Sequence, residues 1–397
     1  MSSTFSETVS PLQRLSARIA PLLPAAWLDR QWGAAVGEPH RRYLATRTFG
    51  SLDGVRAVCI LGVIWHHVPN PGLPLRLAER GFLGVDMFFV LSGFLIVTLL
   101  LRERSRTGAV SLRKFYARRT LRIFPIYYLL IFGLLAVYLV FRPGAPNTRA
   151  YLLDLPFLLT YTANWVPIRA HNMGIVWSLA TEEQFYLVWP AVEKWFRRGW
   201  VWVVLGGVLV VSQMINFGIL DPFFAAMYGG TKPRLAILDA TFTPIALGVL
   251  LAHLLHHPRG YAAAAGVVGG RSSWVGWTLI LVALVEFWPG DLSGLPRLLI
   301  QVVMMVLLGS LVVREDHSAR PILGWGPIRF VGMISYGLYL YHLWVIHPVR
   351  WAFLKLGWGL ANPLFFATAV VACVAVAGLS YQFIERPILR WKERFAA

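Results

Sequence analysis

Apolar runs of bilayer-spanning length recur along this chain, and repetition on that scale points to a polytopic bundle of membrane helices. Of the 397 residues, 57% are hydrophobic and only 14% charged, a balance unsuited to a soluble globular protein. Hydropathy predicts ten spans, at 52–68, 82–101, 121–141, 176–195, 200–219, 236–256, 274–289, 296–313, 329–347 and 364–384. Residues 151–165 are apolar too, but Asp154 and Pro156 interrupt them, so a re-entrant or interfacial segment is expected there. The expected class is all-α, with about ten transmembrane helices and both termini on one side.

Charge chooses the side. A formal net charge of +18 could suit nucleic acid, yet the basic residues cluster between the apolar runs. With cytoplasmic termini, 27 of the 37 Lys and Arg fall on the inner side, as the positive-inside rule expects. The expected partner is therefore the lipid bilayer and not nucleic acid. Cys59 and Cys373 both fall inside spans, which argues against a disulfide framework or a thiolate metal site. Residues 1–50 read as a basic cytoplasmic tail with no cleavable signal peptide, either disordered or carrying a short amphipathic surface segment. One membrane domain fills 51–387, and 388–397 form a cytoplasmic C-terminal tail.

Ionisable groups inside these runs mark the chemistry, because each costs roughly 2.5–3.5 kcal/mol at the centre of a membrane helix. The first span, SLDGVRAVCILGVIWHH, opens with Asp53 and Arg56 and closes on His66-His67. At about 100° per residue, Arg56 and His67 fall about 20° apart in azimuth, while His66 lies about 80° from Arg56. Arg56 and His67 thus share a face. An imidazole there can serve as a general base at neutral pH, or cap a helix end before Pro69 and Pro71.

Four further segments carry polar groups. In GFLGVDMFFVLSGFLI, Asp86 either orients His67 or Arg56, binds substrate, or forms a buried ion pair, and Ser92-Gly93 offers a small surface for close helix approach. In FYARRTLRIFPIYY, Arg119 and Arg122 are neighbours on one helix face, with Arg118 four residues from Arg122. Such a cluster suits phosphate recognition, though inner-side anchoring explains it as well. In VWSLATEEQFYLVWP, the Glu182-Glu183 pair with Gln184 and Tyr186 needs a polar cavity or arginine partners. In ISYGLYLYHLWVIHP, Ser335, Tyr336, Tyr339 and His342 form a polar stripe, either an interhelical seam or part of a substrate site. His253, His256 and His257 have no acidic or thiol ligand beside them in sequence, so no metal is expected. A phosphate-binding Gly-rich loop, a GxSxG elbow and HExxH are all missing, which removes support for ATP-driven transport and serine-hydrolase chemistry.

Taken in order, these segments and a closing FIERP at 383–387 resemble acyltransferase family 3, the integral-membrane O-acyltransferases of bacteria. The resemblance covers residues 51–387. It implies transfer of an acyl group, commonly acetyl, from acyl-CoA to a hydroxyl, usually on a glycan, in the bacterial cytoplasmic membrane. The family's Arg and His separated by ten residues fall on Arg56 and His67; its two donor-linked arginines fall on Arg119 and Arg122; its acidic pair falls on Glu182 and Glu183. Where many members carry His two residues before the Trp of the acidic segment, this chain has Ile175, with His171 four residues earlier. Some members carry a fused extracytoplasmic hydrolase-like domain, and none is expected in this chain.

The expected reaction has acyl-CoA as donor substrate, with no tightly bound cofactor. Its phosphates would be held by Arg119 and Arg122 with Arg118, and its thioester would meet His67 in a cavity shared with Arg56, Asp86, Glu182 and Glu183. Gln184, Tyr186, Tyr339 and His342 are candidate substrate contacts. An acyl-histidine relay fits the sequence equally. The acceptor is a cell-envelope glycan or a small glycosylated metabolite, and a flippase for a lipid-linked glycan is the rival class. Homo-oligomerisation is left open.

Overall fold

The computed structural model describes residues 37–46, 48–69, 75–227 and 242–391, and among them every regular element is helical. Most of the expected N-terminal tail, the start of the 236–256 span and residues 392–397 lie outside the described residues. The principal helices are α1 (Glu38–Ala45), α2 (Leu52–His66), α3 (Leu83–Thr107), α4 (Leu112–Phe141), α5 (Pro146–Leu159), α6 (Trp177–Trp195) and α7 (Arg198–Asn216). They continue with α8 (Thr243–His256), α9 (Pro258–Val268), α10 (Ser273–Phe287), α11 (Leu295–Val312), α12 (Gly326–Met333), α13 (Ser335–Lys355) and α14 (Pro363–Ser380). A π-helical turn, Tyr381–Glu385, and the short helix Arg386–Arg390 extend α14.

Nine of the ten expected spans each overlap one of these helices, whereas 329–347 takes in the end of α12 and the start of α13, which break at Ile334. By length and apolarity, five helices among the described residues can cross a bilayer: α3, α4, residues 199–216 of α7, α11, and Pro363–Arg390. The expected span 274–289 is instead half of a pair, α9 and α10, bent by 73° at the Gly269-Gly270 break, and together they would make a sixth crossing. On α4, Phe132, Val137, Leu139, Val140 and Phe141 are exposed, a surface that suits lipid better than water. The chain is a multi-pass membrane protein.

Glycines set the core crossings. A Cβ on Gly93 of α3 would drive into the Ile245 carbonyl of α8, and one on Gly248 would meet the Val90 carbonyl in return. The two backbones therefore touch, as small residues permit between membrane helices. Gly81 and Gly84, at the start of α3, press in the same way on Gly62 and on the Cys59 carbonyl of α2, and Gly332 of α12 presses on the Asp53 carbonyl. These contacts clamp α2 on two sides and leave its Arg56 side to the interior. Residues 151–165 form most of α5 and then an irregular loop. The fully buried Asp154 carboxylate accepts from the Arg169 and Ala170 amides at 2.5 and 2.7 Å, so the interrupting acid ties that loop down.

Candidate active site

A cavity of about 260 Å³ opens between α2, α3, α4, α6 and α13. Arg56, Arg118, Arg119 and Arg122 line it, with Ser92, Ser178, Glu182, Tyr186, Ser335, Tyr336 and Tyr339 among apolar residues of α3 and α4. Four guanidiniums face one carboxylate. Arg118 has Glu103 at 3.7 Å and Arg56 has Asp53 at 2.8 Å, whereas Arg119 and Arg122 have no ion pair among the described residues. Arg119 rests 4.2 Å from the ring centroid of Tyr186, which leaves its N–H groups free for a ligand. Glu182 accepts hydrogen bonds from Ser92 and from the Tyr186 hydroxyl. Such a site is built for an anion carrying several oxygens.

One turn beyond Tyr339 on α13 stands a pair of imidazoles. His67, the C-cap of α2, has Nδ1 at 2.8 Å from the Val63 carbonyl and 3.3 Å from Nε2 of His342. His342 is completely buried, with Nδ1 2.7 Å from the Tyr339 carbonyl. His66 turns away: its Nδ1 donates to the Glu79 carbonyl at 2.7 Å and its ring packs on Phe82. The doubled histidine is thus divided, one ring inward and one outward. The geometry brings Arg56, Arg118, Arg119, Arg122, Glu182, Tyr186 and Tyr339 into one cavity, with His67 and His342 beside its Tyr339 wall.

Other sequence candidates lie apart. Asp86 forms a buried two-point pair with Arg297 and accepts from Gln301 at 3.2 Å. It orients neither Arg56 nor His67, whose polar contacts are with other groups. Glu183 is absent from the cavity wall, in the field of Arg119. Gln184 exchanges amide hydrogen bonds with Asn164 at 2.8 and 3.1 Å and donates to the Tyr161 carbonyl at 2.8 Å, fixing the loop after α5. His171 meets His347 at 3.0 Å on an exposed surface, away from the cavity wall. His253 has the acid its sequence neighbourhood lacked, Glu193 of α6 at 2.8 Å, and that carboxylate also accepts from Trp189. Among the described residues no three metal-ligating side chains converge. Ser92 and Ser178 are the polar wall groups that sequence reasoning misses; beside Gly93, Ser92 reads as a small contact residue, although a hydroxyl facing an intramembrane acid is also a hydrogen-bond donor.

The acyltransferase-domain family model matches residues 49–382, and the chain belongs to acyltransferase family 3. It is 29% identical over 371 residues to the peptidoglycan O-acetyltransferase OatA of Listeria monocytogenes, a match covering 85% of this chain and 55% of that protein. It is 30% identical over 390 residues to the protein named "Putative peptidoglycan O-acetyltransferase YrhL" of Bacillus subtilis, covering 88% of this chain and 55% of the relative. The chain spans about half the length of these relatives. No solved structure matches it.

Proposed function

We propose that this protein is an acyl-CoA-dependent O-acetyltransferase of the bacterial cytoplasmic membrane, crossing it about ten times with both termini inside, and that its acceptor is a hydroxyl of cell-wall glycan. The observation that carries this reading is the pair of guanidiniums, Arg119 and Arg122, that line the cavity with no ion pair among the described residues, while the cavity's Tyr339 lies one turn from His342, the neighbour of His67. Arg56 and His67 stand eleven residues apart, roughly 16 Å along α2, a separation suited to a donor with phosphates at one end of a flexible arm and a thioester at the other. Names of the relatives supply the acceptor class, since two of them are called peptidoglycan O-acetyltransferases.

In the proposed reaction the His67 imidazole takes the proton of the acceptor hydroxyl as that oxygen bonds to the thioester carbonyl carbon. The C–S bond breaks, and the departing thiolate takes the proton back from the imidazolium. Arg119 and Arg122 hold donor phosphates, Arg56 extends the cationic wall, and Glu182 keeps Tyr186 and Ser92 in place around it.

The test is turnover of radiolabelled acetyl-CoA by purified protein in proteoliposomes, with His67→Ala beside His66→Ala. His67→Ala should be inactive, with a loss of at least about 10²-fold, and His66→Ala should retain most activity. Equal activity of His67→Ala and the parent protein would defeat the proposal, as would absence of any CoA release.

A further inference from the structure

The imidazole pair fixes where its protons lie. A carbonyl oxygen only accepts, so the Tyr339 carbonyl at 2.7 Å requires hydrogen on Nδ1 of His342, and the Val63 carbonyl at 2.8 Å requires it on Nδ1 of His67. A neutral ring carries one such hydrogen, so Nε2 of His342 is a bare acceptor. It faces the His67 Nδ1–H at 3.3 Å, and the rings meet edge to face with centroids 4.8 Å apart. The opposite assignment, hydrogen on Nε2 of His342, would set two N–H donors against each other. Only one arrangement satisfies all three contacts, and it leaves Nε2 of His67 without a hydrogen.

We infer that His342 is the positioning residue of His67: its Nε2 lone pair and the Val63 carbonyl share the His67 Nδ1 proton, holding Nε2 of His67 bare for proton transfer. This rests on the reading of His67 as the base. The second acceptor matters most when His67 becomes an imidazolium, because the fully buried His342 ring then faces the strengthened N–H donor. His342 is itself locked. Its ring is held by the Tyr339 carbonyl, and the Tyr339 hydroxyl bonds to Ser178 at 2.7 Å and to the Ile175 carbonyl at 2.9 Å. Tyr339 therefore joins the cavity wall to the imidazole pair through one residue.

Three variants and one spectrum test this. His67→Ala, His342→Gln and His342→Phe are assayed in proteoliposomes with labelled acetyl-CoA and a soluble N-acetylglucosamine oligosaccharide. Histidine protons are read by 15N solid-state NMR of histidine-labelled parent protein, with His67 assigned through its loss in His67→Ala. The expected parent spectrum has a protonated Nδ1 and a bare Nε2 on His67. His342→Phe should lose about tenfold in kcat, the rate equivalent of one neutral hydrogen bond, with KM for acetyl-CoA unchanged. His342→Gln, whose amide oxygen can accept the same N–H, should recover most of that loss. A His67 protonated on Nε2, or full kcat in folded His342→Phe, would overturn the inference. If His342→Phe does not fold, a folded His342→Gln as inactive as His67→Ala would overturn it too. Turnover by His67→Ala would sink the base assignment itself, and the parent spectrum would still report the proton positions.

Discussion

Asp86 on α3 and Arg297 on α11 form a two-point ion pair, Oδ2 to Nε at 2.7 Å and Oδ1 to a terminal guanidinium nitrogen at 2.9 Å, with Asp86 only 2% exposed. Gln301 adds a third contact, and the Arg297 guanidinium lies over the Phe82 ring. Removing one partner strands the other charge out of water, which costs about 3–5 kcal/mol for a buried pair. Asp86→Ala and Arg297→Ala should therefore lower the detergent melting temperature sharply. Neither side chain lines the cavity, so surviving protein should keep its KM for acetyl-CoA. A normally stable but inactive Asp86→Ala would return Asp86 to the active site.

Arg119 and Arg122 should behave differently from Arg118. The first two have no ion pair among the described residues, while Arg118 lies 3.7 Å from Glu103. Charge-assisted hydrogen bonds are worth about 1.5–3 kcal/mol each. Arg122→Ala should thus raise KM for acetyl-CoA by about tenfold or more, with the acceptor KM little changed. Lys at the same position should restore charge but not the bidentate geometry, giving only partial recovery. Initial rates across donor concentration check this, and loss of the protein from the membrane would favour an anchoring role instead.

Local arithmetic made part of this site legible. The azimuth of Arg56 and His67, and the spacing of Arg119 and Arg122, follow from helix geometry alone, and an acid in an apolar run announces a partner. What the sequence withheld were the partners. Arg297 stands 211 residues from Asp86, His342 stands 275 from His67, and Glu193 stands 60 from His253. Such pairings depend on which helices touch, and no local pattern encodes that. The α9–α10 bend was hidden for a related reason: Gly269-Gly270 ends one helix and permits the next to leave at a steep angle, while hydropathy registers only the apolar run after it.

The α3–α8 crossing gives a packing prediction. Gly93 and Gly248 each face a backbone carbonyl of the opposite helix at a distance where no Cβ fits. A side chain there cannot be relieved by a rotamer change, so the helices must part along their contact. Gly93→Val and Gly248→Val should each abolish accumulation of folded protein, whereas Gly133→Val on α4, where a Cβ meets open space, should be tolerated. Size-exclusion profiles of the three variants in detergent provide the comparison.

A pH response follows from His317, in the loop between α11 and α12. The ring is buried, and its Nε2 lies 2.9 Å from the Ser51 hydroxyl just ahead of α2. Burial, and then the charge of Arg320, lower its pKa below the usual histidine value, outweighing the opposing pull of Asp316. The folded protein therefore binds the His317 proton less readily than the unfolded chain does. Its contribution to stability is complete above the ordinary histidine pKa of about 6.5 and declines as pH falls through that value toward the lower folded pKa. The melting temperature should accordingly fall between pH 7 and pH 5, and hydrogen exchange at 50–53 should quicken over the same range. His317→Gln, which cannot titrate, should remove that part of the slope; an unchanged slope in this variant would assign the pH response to other groups.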